Sequence, residues 1–302
     1  MDPLHVVTAI ANPIRWQSRA RLYHQFEEHM LDSGVHLIVV ECAYGNRPYE
    51  FADNPRITHV PVRAHSVLWI KENLLNIGLA HLPDNWRHVA WVDADVTFRR
   101  RDWATETVHA LQQYDVVQPW SDCYDLGPND EHLQVHRSLC RLAHEGAPIV
   151  AGNYTFAHPG FAWAATRRAL TLLGGLIETA ALGAADHHMA LALLGRVRES
   201  VPGNISDGYL RPLLRWQDRA RQHIAGNIGY VSGSIEHDWH GAKLKRAYVD
   251  RWSTLLRNHF DPETDLIRNT WGVLELVGNK PQLRFDIDRY FRARDEDSNS
   301  LG

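Results

Sequence analysis

The sequence predicts an α/β protein built on a largely parallel sheet with helices on both faces. Three observations carry that expectation. Strand-type and helix-type patterns alternate through the first half of the chain. A length of 302 residues with 44% apolar content is enough to bury a substantial core. Polar residues collect directly after several apolar runs, where open parallel sheets place their ligands.

The elements follow in order. His5 to Ala9 reads as a buried strand, and Trp16, Ala20, Tyr23, Phe26 and Met30 then recur at helical spacing. Val35 to Val40 and Ile57 to Val62 are the second and third strands. Trp69 to Leu82 is a helix ending before Pro83, and Val89 to Val92 is a fourth strand running into Asp93-Ala94-Asp95. Asn12-Pro13, Glu41 and Asp93 all fall at the ends of predicted strands. Asn153 to Thr166, rich in Gly and aromatics, reads as a loop or short strands close to a ligand. Arg167 to Leu194 reads as helix interrupted near Gly174-Gly175 and Gly183, and Asn227 to Val231 is strand-like. These patterns divide the chain into a main domain at 1–262 and a more polar extension at 263–302, whose end from Arg294 to Ser300 is expected to fray. There is no internal repeat.

Composition excludes little but sets the background. A net charge of −4 gives no general attraction to nucleic acid or anionic membrane. Three cysteines, Cys42, Cys123 and Cys140, are too few for a secreted disulfide framework and read as small buried residues. With no signal peptide or membrane span visible, a reducing cytoplasm is the expected compartment. No obligate protein partner is evident.

The chemistry centres on Asp93 and Asp95. Two carboxylates at the carboxyl edge of a strand make a seat for a hard divalent cation, although an Asp after a strand also caps turns. His237 and His240, downstream of another strand-like stretch, are spaced to meet the same ion on a helical turn; the alternative is a structural His against Trp239. Asp186 precedes a helical run and reads as its N-cap, a place where backbone amides keep a carboxylate ionised and fit to act as a base. Adjacent His187 and His188 read mostly as helix surface or core. Residues 211 to 257 hold nine Lys or Arg against four acids, an excess suited to greeting an anion.

Several of these stretches resemble the β-1,4-galactosyltransferase type. Lys71-Glu72-Asn73-Leu74-Leu75-Asn76-Ile77-Gly78 followed by a strand and Asp93-Ala94-Asp95-Val96 is similar to that family's helix and Asp-x-Asp strand. His240-Gly241-Ala242-Lys243-Leu244-Lys245-Arg246 resembles its metal-binding His with trailing basic residues, and His237 stands where a second ligand lies. Gly160-Phe161-Ala162-Trp163-Ala164 resembles the Gly-rich stretch before the catalytic base, and Asp186 falls at the acidic motif carrying that base. The resemblance spans roughly residues 5 to 250. Two departures accompany it: one acid at Ala184-Ala185-Asp186-His187 where the family runs several together, and His rather than Met at the first C-terminal ligand.

The resemblance implies a GT-A (Rossmann-like) mixed, mainly parallel sheet and an inverting transfer of a hexose from a UDP-sugar, with Mn2+ or Mg2+ as cofactor. It implies metal ligation by Asp95 and His240 with His237 and Asp93, and proton removal by Asp186 from an acceptor hydroxyl. Asn12, Arg15 and Glu41 become candidates for holding the base and ribose, with Asp93, Lys71 and Asn76 beside the sugar and Arg19 or Lys243 on phosphate oxygens. The arrangement also resembles glycosyltransferases of phages and bacteria. The leading acceptor is then a hydroxymethylated base in DNA, with a polysaccharide or small molecule as the alternative. A metal-dependent nucleotidyltransferase or phosphohydrolase, and a non-catalytic nucleotide-sugar binding module, remain open.

Overall fold

In the computed structural model, which describes residues 4–51, 54–152, 157–246 and 251–300, the alternating patterns become alternating elements. Strand β1 (His5–Ala11) leads to helix α1 (Gln17–Asp32), then β2 (His36–Tyr44), β3 (Thr58–Ala64), α2 (Lys71–Leu79), β4 (His88–Val92) and β5 (Val96–Phe98). Helix α3 (Trp103–Ala110) precedes β6 (Val116–Gln118), the antiparallel β7 (Asp122–Leu126) and β8 (His132–Arg137), α4 (Leu139–His144) and β9 (Ala162–Thr166). Helices α5 (Arg167–Leu173), α6 (Ala185–Leu193) and α7 (Asp207–His223) follow, then the short strands β10 (Ile228–Tyr230) and β11 (Ser234–His237). The chain closes with α8 (Arg251–Arg257), α9 (Pro262–Asp265), β12 (Leu266–Arg268), β13 (Leu274–Leu276) and α10 (Pro281–Ala293).

The central sheet has the order β10-β6-β9-β4-β1-β2-β3. Strands β1 to β4 pair in parallel, as do β6 and β10, while β9 runs antiparallel between β4 and β6. The sheet is thus mixed and mainly parallel. Successive side chains point to opposite faces, and both faces are apolar. Val6, Leu37, Val39, Ala90 and Val92 pack with Tyr23, Phe26 and Met30 of α1 and Val108 of α3. Val7, Ile38, Val40, Val89 and Trp91 pack with Leu74 and Leu75 of α2 and Leu213 of α7.

Helix α2 approaches the sheet closely because Gly78 has no side chain. A Cβ there would lie 2.4 Å from Val7 Cγ1 and 2.8 Å from Val40 Cγ2. The two amides of the same helix serve as braces. Asn76 accepts from Leu176 N and donates to Leu176 O, and Asn73 accepts from Leu274 N.

A second sheet, β5-β11-β7-β8, stands beyond the carboxyl end of β4. Strand β11 runs antiparallel to β5 and parallel to β7, with His237 opposite both Val96 and Asp125.

Several expectations need correction. Strand β2 continues to Tyr44, so Glu41 lies inside it rather than at its end. The stretch 167–194 is two helices, and residues 153–156 of the Gly- and aromatic-rich stretch lie outside the described residues. The chain end does not fray. Glu296, 1% exposed, accepts from Arg19 at 2.6 Å and Arg294 at 2.5 Å. Asp297 accepts from Gln17 N and Ser18 N, capping α1, whose own N-cap Trp16 offers no side-chain bond. Trp239 Nε1 donates to Ser298 O. An acidic run that finds buried cations and a bare helix N-terminus is held, whatever its composition suggests. The three cysteines are buried and free, as expected. Among the described residues no helix is long and apolar enough to cross a membrane.

Two stability tests follow from this packing. Gly78→Ala gains about 1 kcal/mol of helix propensity but overpacks two β-branched neighbours at a cost of up to about 3 kcal/mol. Urea unfolding should show a net loss of about 1–2 kcal/mol, and an unchanged or raised midpoint would refute the close approach. Glu296→Ala leaves two guanidinium groups without their shared carboxylate and should cost about 3 kcal/mol in the same assay.

Candidate active site

A cavity of about 690 Å³ opens where the carboxyl ends of β1 and β4 meet the second sheet. Seven residues singled out by sequence line it: Lys71, Asp93, Asp95, Asp186, His237, His240 and Lys243. Four others do not. Asn12 closes a turn before α1, accepting from Trp16 N and donating to Trp16 O. Arg15 is exposed, at a φ of 69°. Glu41, 4% exposed, accepts from the amides of Glu50 and Phe51 and from His59. Asn76 is the brace between α2 and Leu176 described above. Each spends its hydrogen-bonding capacity on the backbone or on a buried partner, which leaves it no part in the cavity.

Asp95, His237 and His240 form a compact donor set. Asp95 Oδ2 is 3.1 Å from His240 Nε2 and 3.8 Å from His237 Nε2, and the two ring nitrogens are 3.3 Å apart. Donors bound at about 2.1 Å and roughly right angles stand ~3 Å from one another, so the spacing fits one cation. The chemistry of the group fits as well. One carboxylate and two imidazoles are ordinary ligands, and Asp95 Oδ1 is buried with no hydrogen-bond partner. The two histidines do not share a helical turn. His237 ends β11, His240 follows in irregular chain, and Asp238 N donates to Asp95 O, clamping the two motifs together. Asp93 stands outside the donor set, because Lys71 Nζ holds its carboxylate at 2.9 Å.

The electrostatics follow from burial and partners. Burial opposes ionisation of Asp95, but His237, His240 and Arg246 outweigh it and hold the carboxyl well below its usual range. Burial also opposes charge on His237, yet the carboxylates of Asp95 and Asp125 raise it. His240 goes the other way, down to about 4, through burial and then the Arg246 guanidinium. Asp93 is raised by burial, with Lys71 working against the rise.

Asp186 sits in the first turn of α6 rather than at its N-cap. The cap position is Ala184, whose φ of 88° follows the same value at Gly183. This left-handed pair swings the helix start toward the cavity and is a costly conformation for Ala184. On the facing loop Gly160 gives Asp186 room, since a Cβ there would lie 2.9 Å from Asp186 Oδ2. Phe161, also at positive φ, accepts from Asp93 N through its carbonyl, so the Gly-rich stretch positions Asp93 too. His188 is core as expected, buried between Ser200 Oγ and Tyr209 OH.

The cavity also holds residues that the sequence did not mark. Asp125, 2% exposed, accepts from His237 Nδ1 at 2.8 Å, from His136 Nε2 at 2.5 Å and from Lys243. Glu72 is buried beside Lys71, and burial with the nearby Asp186 charge pushes its carboxyl up to about 7 against the pull of Lys71. Arg246 Nη2 lies 3.1 Å from His240 Nε2. No local motif surrounds Asp125; strand register brings it to the site.

No protein-family model matches the chain, and no curated protein does. Among solved structures, the catalytic domain of a Drosophila β-1,4-galactosyltransferase 7 in complex with xylobiose is 11% identical, covering 94% of this chain and 99% of that one, with a TM-score of 0.43. TarS residues 1–349 of S. aureus are 9% identical, covering 97% of this chain and 70% of that one, with a TM-score of 0.44. A mutant of the Drosophila enzyme with manganese, UDP-Gal and xylobiose is 12% identical over 66% of this chain and 62% of that one, less than two thirds of its length, at a TM-score of 0.38. Likeness this remote assigns no chemistry, which rests on the side chains in the cavity.

The donor set makes a direct expectation. Mn2+ alone should raise the melting temperature of the wild type, by the equivalent of about 2.7 kcal/mol at a hundredfold excess over its Kd. Asp95→Ala should abolish that rise, and an equal rise in the variant would place the ion elsewhere.

Proposed function

We propose that the chain is a metal-dependent, inverting glycosyltransferase of the GT-A type that moves a hexose from a UDP-sugar to an acceptor hydroxyl. One observation carries the reading: the Asp95–His237–His240 donor set shares a single cavity with Asp93 and Asp186. A divalent ion in that set supplies positive charge where a departing diphosphate gathers negative charge. Two imidazoles beside one carboxylate suit Mn2+ better than Mg2+. Lys71 anchors Asp93, which accepts from a hydroxyl of the sugar or ribose. Asp186 takes the proton from the acceptor hydroxyl as its oxygen attacks the anomeric carbon. Attack from the face opposite the leaving group inverts the configuration.

Charge favours an uncharged acceptor, a glycan or small molecule, over DNA. A nucleic-acid track needs open cations, and the basic residues of 211–257 are spent on neighbours. Arg211 and Arg215 pair with Glu263, Arg221 with Asp218, Lys243 with Asp125, Lys245 with Asp295 and Arg257 with Asp286. Arg219 and Arg251 donate to the carbonyls of Leu173 and Leu182, and Arg246 is buried against His240.

The test uses donor binding and turnover together. Asp186→Asn should keep the UDP-hexose and Mn2+ thermal shift yet lose about 10²- to 10⁴-fold in transfer; unchanged turnover removes Asp186 as the base. Acceptors should include glycans and DNA carrying hydroxymethylated bases, with transfer to the latter overturning the acceptor assignment. Turnover of nucleoside triphosphates without cleavage of any UDP-sugar would favour a nucleotidyltransferase or phosphohydrolase.

A further inference from the structure

The donor set differs from a simple three-ligand seat in having a buried carboxylate behind one of its imidazoles. Strand β7 lies parallel to β11 with Asp125 opposite His237. The Asp125 Oδ1 oxygen lies 2.8 Å from His237 Nδ1, while His237 Nε2 faces Asp95 and His240 at 3.8 and 3.3 Å. The second oxygen of Asp125 is held by His136 at 2.5 Å and by Lys243, so the carboxylate has one orientation available. A carboxylate in that place keeps the proton of a neutral imidazole on Nδ1 and its lone pair on Nε2, the atom aimed into the donor set.

We propose that Asp125 is a positioning residue for the metal site: it fixes the tautomer and ring orientation of His237, making that histidine a ligand through Nε2. The assignment rests on the metal site of the proposed function but not on any sugar or acceptor. It also gives His136 and Lys243 a role, since both fix the carboxylate from the side away from His237. Asp125 without His136 and Lys243 would be a buried charge with one partner, and such a charge is expensive to keep ionised.

Binding of Mn2+ alone, read from the electron paramagnetic resonance signal of the free ion, tests this without substrate. Asp125→Asn keeps the shape of the side chain and removes its charge, and its Mn2+ Kd should rise about 10- to 100-fold with the circular dichroism spectrum unchanged. A Kd within twofold of wild type overturns the assignment while leaving the donor set standing. Absence of Mn2+ binding in the wild type overturns both. If the variant does not fold, nitrogen NMR of the Zn2+-loaded wild type decides: a proton on His237 Nδ1 supports the role, and a proton on Nε2 refutes it.

Discussion

The site depends on one strand lying in one register. Strand β11 is four residues long, and its position between β5 and β7 brings together three parts of the chain more than 100 residues apart at their extremes. Asp95 enters from the turn that feeds β5, Asp125 from β7, and His237 from β11 itself. A slip of one residue would turn His237 to the other face of the sheet, away from both carboxylates. The Asp238 amide bonded to the Asp95 carbonyl at 2.9 Å and the fully buried Ile235 resist that slip.

Holding charges this close inside a folded domain carries a stability cost that pairing offsets only in part. The solution here is alternation. Lys71 stands against Asp93, Lys243 and His136 against Asp125, and Arg19 and Arg294 against Glu296. The C-terminal segment belongs to this arrangement, for Glu296 Oε2 lies 3.9 Å from His240 Nδ1 and the backbone at 295–296 packs against Gly241. The metal-site loop is therefore backed by the chain end rather than by solvent.

Much of the fold was legible because alternation and helical spacing are local properties. The four leading strands, α1, α2 and the Asp-x-Asp turn all lie where their apolar periods place them. So does the pairing of Asp95 with His240, since both motifs carry chemistry in a few adjacent residues. What was not legible depends on partners distant in sequence. Glu41 and Asn12 look available at strand ends, but bonds to Phe51 and Trp16 consume them. Asn76 sits in a motif and serves packing. The basic run of 211–257 looks like a surface for anions until its carboxylate and carbonyl partners are known. Asp125, in a plain alternating strand, gives no sign of its place until register is known.

The charges lining the cavity constrain the order in which ligands can enter. Asp93, Asp95, Asp125, Asp186 and Glu72 face Arg19, Lys71, Lys243, Arg246, Arg251 and Arg294, and most of these cations are already engaged by acids or carbonyls. A diphosphate arriving alone would bring about two negative charges beside Asp95 with little free positive charge to meet them. A dication arriving with it leaves the balance nearly unchanged, and in a partly dry cavity that difference is worth several kcal/mol. The same reasoning separates the carboxylates by task. Asp95 is held ionised by its imidazoles and suits a cation, Asp93 is tied to Lys71 and suits a hydroxyl, and Asp186, on a strained helix start and clear of the donor set, is placed to accept a proton.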